Sequence, residues 1–190
     1  MPNWCNNSIT ITGPIRKIEK LYNEAIKDAD DETGLLNAMM PMPVELHDTT
    51  SPSEEPNWYD WRVNNWGTKW EVSSEGLEYT EDPDNGTAEI TGWFDSAWAP
   101  PLGAFQHYIE QNDDVHITCY YEEPGMDFAG KWEDGDDQYC DDIHGKIVYY
   151  IKNNEMPDDD LFKELDEYFD LIESRREWIE EDLAEEREDA

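Results

Sequence analysis

The sequence predicts an α+β fold built on one antiparallel sheet, and three observations predict it. Strand-like alternation and helix-like spacing succeed one another over residues 4–122 in the order strand, helix, strand, strand, helix, strand. Nine Trp, ten Tyr and five Phe supply large core side chains that a disordered acidic chain would lack. Gly-Pro, Asn-Gly and Pro-Pro pairs fall between the periodic runs, where turns belong.

The first strand is expected over residues 4–12, where Ile9 and Ile11 alternate with Thr10 and Thr12. Gly13-Pro14 punctuates it, and Pro suits the first turn of a helix. Ile15, Ile18, Leu21, Tyr22 and Ala25 then recur at helical spacing, so 14–28 reads as an amphipathic helix. The next stretch is a long connection at about 30–67. It opens on the charge run Asp30-Asp31-Glu32, and it holds Pro41, Pro43, Pro52 and Pro56. A short helix is expected around Leu35–Met40, and another at 58–65 within a Trp-dense segment that packs back on the domain.

Strands follow at 68–74 and 86–95, joined through Pro83-Asp84-Asn85-Gly86, a tight-hairpin signal. Pro100-Pro101 opens a second helix at 100–112, and Val115, Ile117 and Cys119 alternate through a strand at 114–122. This β-α-β-β-α-β order is the ferredoxin-like arrangement, with both helices on one face of a four-stranded sheet. Further strands at 127–133, 138–142 and 146–151 are expected to extend or cap the sheet, with an acidic turn at 133–137. Beyond Pro157, apolar residues from Leu161 to Leu183 recur at three- and four-residue steps, which predicts one long acidic helix to about 187. The chain thus divides into a domain at 1–154 and an acidic amphipathic helix within 155–190.

Charge narrows the function. With 48 acidic and 13 basic residues the formal net charge is −35. Self-repulsion on this scale disfavours a compact chain, so a partner, cations or a salty habitat must favour it. Direct binding to nucleic acid or to an anionic membrane is not expected, because both need a basic patch. No run approaches the length of a membrane span, and the N-terminus lacks the basic start and apolar stretch of a secretory signal. A cytoplasmic protein is expected. Cys5, Cys119 and Cys140 are widely spaced and form no Cys-x-x-Cys pair, which fits reduced thiols.

No catalytic motif is present, and His47, His107, His116 and His144 are scattered, so no enzyme, cofactor or metal is expected. Asp82, Asp84 and Glu89 lack the spacing of a calcium loop. Residues 155–190 hold seventeen acidic against four basic residues. Glu173, Glu177, Glu180, Glu181 and Glu185 are the outward carboxylates expected to meet a partner. The apolar stripe of the same helix would either pack on its own domain or form a homodimer.

Three blocks stand out: Met1-Pro2-Asn3-Trp4-Cys5-Asn6-Asn7, Asn65-Trp66-Gly67-Thr68-Lys69-Trp70, and Phe94-Asp95-Ser96-Ala97-Trp98-Ala99-Pro100-Pro101. Together they resemble the Api-type phage and plasmid proteins, over roughly residues 1–150. The resemblance implies a ferredoxin-like domain, a phage or mobile-element origin and an intracellular site; it implies no catalytic residues. Trp4, Trp66, Trp70 and Trp98 are read as packing around the sheet. The alternative is a ligand pocket lined by Trp66, Lys69, Trp70 and Trp98 with Asn6 and Asn7 as polar anchors.

The leading expectation is a non-enzymatic accessory protein whose acidic surface imitates nucleic acid and inhibits a basic, nucleic-acid-binding host protein. The alternatives are a small-ligand or enzymatic domain using the Trp-rich pocket, and an assembly protein dimerising through the last helix.

Overall fold

The computed structural model describes residues 3–27, 33–51 and 53–188, with side chains in the last helix described to residue 184. The expected end of the first helix at 28, the charge run Asp30–Glu32 and Pro52 lie outside the described residues. The first two residues of the N-terminal block lie outside them too.

Strand β1 spans Trp4–Pro14 and helix α1 Ile15–Ala25. The long connection holds α2 (Leu35–Met39), a 3₁₀ turn at Val44–Leu46 and α3 (Trp58–Asn65). Then come β2 (Leu77–Asp82), β3 (Thr87–Ala97), α4 (Leu102–Gln111) and β4 (His116–Glu123). Strands β5 (Phe128–Glu133) and β6 (Asp136–Asp141) follow, and the chain closes with α5 (Ile143–Asn153), α6 (Asp160–Phe169) and α7 (Leu171–Glu188). One sheet runs in the order β2-β3-β1-β4-β5-β6, with every neighbouring pair antiparallel. Its first four strands, with α1 and α4, are the expected ferredoxin-like unit.

Alternation along β1 sorts its side chains cleanly. Cys5, Asn7, Ile9 and Ile11 are buried, whereas Trp4 and Asn6 are exposed on the other face. The buried parity of β1, β3 and β4 meets α1 and α4 in a first core that includes Ile9, Ile90, Phe94, Phe105 and Ile117. The connection seals this core. Leu35, Leu36 and Met39 are buried in it, and the Glu71 carboxylate holds α2 by accepting from the backbone N–H groups of Leu36 and Asn37, each at 2.8 Å.

A second core lies on the opposite face, at the other end of the sheet. Ala129 on β5 and Cys140 on β6 meet Ile143 and Ile147 of α5, Phe162 and Leu165 of α6, and Leu171, Ile172 and Ile179 of α7. Each face is therefore covered over only part of its width. Among the described residues no helix covers the outward parity of β2 and β3 and the adjoining part of β1: Glu78, Thr80, Trp93 and Asp95 are exposed.

Three sequence expectations are corrected. Residues 68–74 form no strand. Gly67 turns the chain at φ 93°, and Thr68 ties the segment to Ala97 through its hydroxyl rather than through a ladder, at 3.0 Å to both the carbonyl and the N–H. The strand begins instead at Leu77. Residues 146–151 are helical, because Ile143 and Ile147 at helical spacing are what the second core buries. The His144 N–H at the start of that helix finds the Asp127 carboxylate at 3.0 Å.

The long acidic helix is two helices. Asp170 adopts a left-handed conformation at φ 54°, and the Asp166 carboxylate accepts from the Ile172 N–H across the break at 2.8 Å. At the other end of α6, the Asp159 carboxylate caps the N–H of Phe162 at 2.9 Å. Of the apolar stripe expected along this segment, Leu165, Ile172 and Ile179 are buried in the second core and Leu161 and Leu183 pack against it, whereas Tyr168 is exposed.

Candidate functional site

The predicted carboxylates form a ridge on α7. Glu173, Glu177, Glu180 and Glu181 are all exposed, because Ile172 and Ile179 turn the opposite side of the helix into the second core. Arg176 sits within the ridge and pairs with Glu173 at 2.6 Å and with Glu180 at 3.8 Å. The hydrogen bond to Glu173, with a second to Tyr150, holds its guanidinium above its ordinary pKa. Glu185 lies on the same helix, with its side chain outside the described residues.

The predicted Trp-rich pocket is dispersed. Trp66 is fully buried and donates its indole N–H to the Met40 carbonyl at 2.8 Å. Asn7 is also buried, and its amide donates to the Cys5 carbonyl at 2.8 Å and to the Ser96 hydroxyl at 2.9 Å. Asn6 points from the opposite side of β1 and donates to Glu122 at 3.3 Å. Lys69, Trp70 and Trp98 do come together. The Lys69 ammonium lies 4.5 Å from the Trp70 ring and 5.8 Å from that of Trp98. Two residues outside the predicted set complete this group. Tyr59 offers its ring to Lys69 at 5.4 Å, and Trp4 tilts against Trp70 at 5.9 Å. The cage therefore holds the chain's own cation.

Elsewhere the surface is open and polar. A cleft of about 730 Å³ lies at one end of the sheet among Thr12, Asp82, Glu89, Asp114 and His116. Two of its titratable groups are engaged separately: Asp114 pairs with Lys17, and His116 Nδ1 meets Asp134 at 2.7 Å. Among the described residues no three His, Cys, Asp or Glu side chains converge as metal ligands. The three cysteines are buried and free, and burial pushes the Cys5 thiol up to about 12. Cys119 and Cys140 are raised by burial as well, so none is a poised nucleophile. No helix among the described residues is long and apolar enough to cross a membrane.

Sequence reasoning missed the open sheet face. Its signal was present: in β3, Ala88, Ile90 and Phe94 are the buried parity, and Trp93 alone among large apolar residues falls on the polar parity.

Residues 65–156 match the family described as the ferredoxin-like domain in Api92-like protein. The match takes in β2 to β6 with α4 and α5, whereas β1 and α1 precede it. The chain is also similar to a crystal structure of the protein Api92 from Yersinia pseudotuberculosis, at 11% identity and a TM-score of 0.48, over 74% of this chain and 98% of that one. No curated protein matches the sequence. Over residues 65–156 the chain is thus similar to the ferredoxin-like domain in Api92-like protein.

Proposed function

We propose that this protein is a non-enzymatic accessory protein of a phage or mobile element. In this reading it acts in the host cytoplasm and inhibits a basic, nucleic-acid-binding host protein by offering it a phosphate-like array of carboxylates. A defence nuclease is the type of target this chemistry suits.

The observation that carries the reading is the spacing of the α7 ridge. From Glu173 to Glu181 the helix advances about 12 Å at 1.5 Å per residue. Four carboxylates over that distance give one about every 4 Å, close to the phosphate spacing of about 3.4 Å along one strand of B-DNA. Arg176 lowers the net charge of the ridge but also fixes two of its carboxylates in place. Such a surface speeds encounter with a basic partner, and the gain falls as salt screens it.

The test is retention of host proteins on the immobilised full chain, eluted by stepwise salt and identified by mass spectrometry. The wild type is compared with a variant carrying Glu173→Gln, Glu177→Gln, Glu180→Gln and Glu181→Gln. These positions are exposed, so the variant keeps its helical circular dichroism. The reading expects one nucleic-acid-binding enzyme to elute from the wild type at moderate salt and from the variant at distinctly lower salt. Equal retention by both removes the ridge from the function.

A further inference from the structure

The open sheet face has a composition of its own. Strands β1 to β4, the whole ferredoxin-like sheet, contain no lysine or arginine. On the face that carries no helix, β3 presents Glu89, Thr91, Trp93 and Asp95 in alternate order. Register places Ser8 and Thr10 of β1 opposite Trp93 and Thr91, and Glu78 of β2 opposite Thr91 on the other side. The floor is thus hydroxyl-bearing, and the charges on it are all negative.

Trp93 stands at the middle of this face and is 69% exposed, more than any other tryptophan. Its backbone fixes it there. Gly92 runs at φ 148°, with the Gly76 carbonyl 2.0 Å from where a Cβ would stand, so β2 and β3 approach as closely as they do only because that residue is glycine. One wall is equally fixed. The Ser8 hydroxyl meets the Tyr168 hydroxyl at 2.6 Å, and Tyr168 stacks on Tyr120 with ring centroids 4.0 Å apart.

Two unused carboxylates, Glu78 and Asp95, flank the indole, and a third, Glu89, lies four residues back along β3, about 13 Å away. Among the described residues, Glu78, Glu89 and Asp95 have no ion-pair or hydrogen-bond partner. Asp95 is two residues from Trp93 on the same face, about 7 Å along the strand, and Glu78 lies diagonally across the pair at about the same distance. A cation over an indole face with carboxylates within reach of its N–H groups is the arrangement that recognises arginine.

We propose that this face, centred on Trp93 and bordered by Glu78, Glu89 and Asp95, binds an extended arginine-bearing segment of a basic protein partner. The guanidinium lies on the indole and donates to Asp95 or Glu78. Alternate side chains of an extended segment repeat at about the same spacing as Thr91, Trp93 and Asp95, so a second arginine two residues along meets the next position on β3. The proposal rests on the acidic-binder reading above and gives it a second contact surface, separate from the α7 ridge.

The experiment uses the full chain labelled with nitrogen-15 and a synthetic hexapeptide alternating arginine with alanine, with a glutamate–alanine peptide as control. Chemical-shift mapping is expected to place the largest changes at the Trp93 indole and at the amides of Ser8, Thr91 and Asp95. Trp93→Ala is expected to weaken binding about tenfold, as loss of a partly desolvated cation–indole contact would. Asp95→Asn is expected to weaken it less and to flatten its salt dependence. Shifts concentrated on residues 173–184, or equal binding by wild type and Trp93→Ala, overturn the proposal and leave the α7 ridge standing. Absence of any arginine-peptide binding overturns both. Trp93 shifts that grow with protein concentration in the absence of peptide also overturn it, because the occupant is then a second copy.

Discussion

Truncating Phe162 to alanine tests whether the last three helices are part of the fold or an appendage to it. Phe162 of α6 is fully buried in the second core, whose other members include Ile143, Ile147 and Leu165. Removing a buried ring of this kind costs about 3–5 kcal/mol, the transfer of the ring plus the cavity left behind. That is a large share of the roughly 5–15 kcal/mol that holds a domain folded. With a urea dependence of about 2.5 kcal/mol per molar, the unfolding midpoint falls by about 1.5 M. The loss should reach the whole sheet. Ala129 and Trp132 lie on opposite faces of β5, one in each core, so the strand cannot lose the second core and keep its place in the first. Circular dichroism through a urea titration and hydrogen exchange of the β1 amides should therefore report one transition at the same lowered midpoint. A shift worth less than about 1 kcal/mol, or β1 protection unchanged while helical signal is lost, would refute the coupling of the two cores.

Four further outcomes are expected. Gly130→Ala should lower stability by about 2 kcal/mol in the same titration, because its Cβ would stand 2.3 Å from the ring of Tyr121, itself buried and bonded to Asp137. Asp170→Gly should leave the midpoint nearly unchanged, whereas Asp170→Val should cost about 1–2 kcal/mol, since a β-branched residue resists φ 54°. At pH 8 the folded protein should resist iodoacetamide and take up three equivalents only on denaturation, measured by intact mass; rapid labelling of the native chain would contradict the raised thiols. Raising sodium chloride from about 10 mM to about 500 mM should raise Tm, because shortening the Debye length from about 30 Å to a few Å relieves the self-repulsion of a chain at −35.

The ferredoxin-like unit was legible because its elements have one buried face each. Ile9 and Ile11 mark a strand, Ile18 and Leu21 a helix, and both periods survive in the sequence without reference to the rest of the chain. The two failures among the strands have a common physical origin. Lys146–Ile151 is rich in β-branched and aromatic residues, yet what decided its conformation was a core whose other members lie in residues 129–140 and 162–179. Residues 68–74 have strand-like composition, but Thr68 and Glu71 are used to tie down loops and α2. Propensity is local, and these contacts are not. The break at Asp170 was hidden for a different reason. Asp is an ordinary residue in an acidic helix, and only its left-handed backbone distinguishes it. Of the candidate site residues, the α7 carboxylates were readable from helical phase. The grouping of Lys69 with Tyr59 was not, since the two belong to different segments joined only by the folded connection.

The distribution of base explains why so acidic a chain presents acid outward. Lys17, Lys27, Lys131, Lys146, Lys163, Arg175 and Arg176 each meet a carboxylate of the chain itself. Lys69 lies among aromatic rings, and Arg62 lies over Trp58 and Trp66. Nine of the thirteen basic residues are thereby engaged within the chain, several of them between elements, as where Arg175 of α7 reaches Glu122 of β4 at 2.9 Å. The carboxylates have no such balance. Once these cations are matched, the surplus remains at exposed positions such as Glu177 and Glu181 on α7 and Glu78 and Asp95 on the sheet. A partner that supplies arginine or lysine to those positions would relieve repulsion within this chain as well as form new pairs, so binding and folding stability are coupled in the same direction. Tm should therefore rise on adding an arginine-bearing peptide at low salt, and the rise should shrink as salt performs the same neutralisation without it.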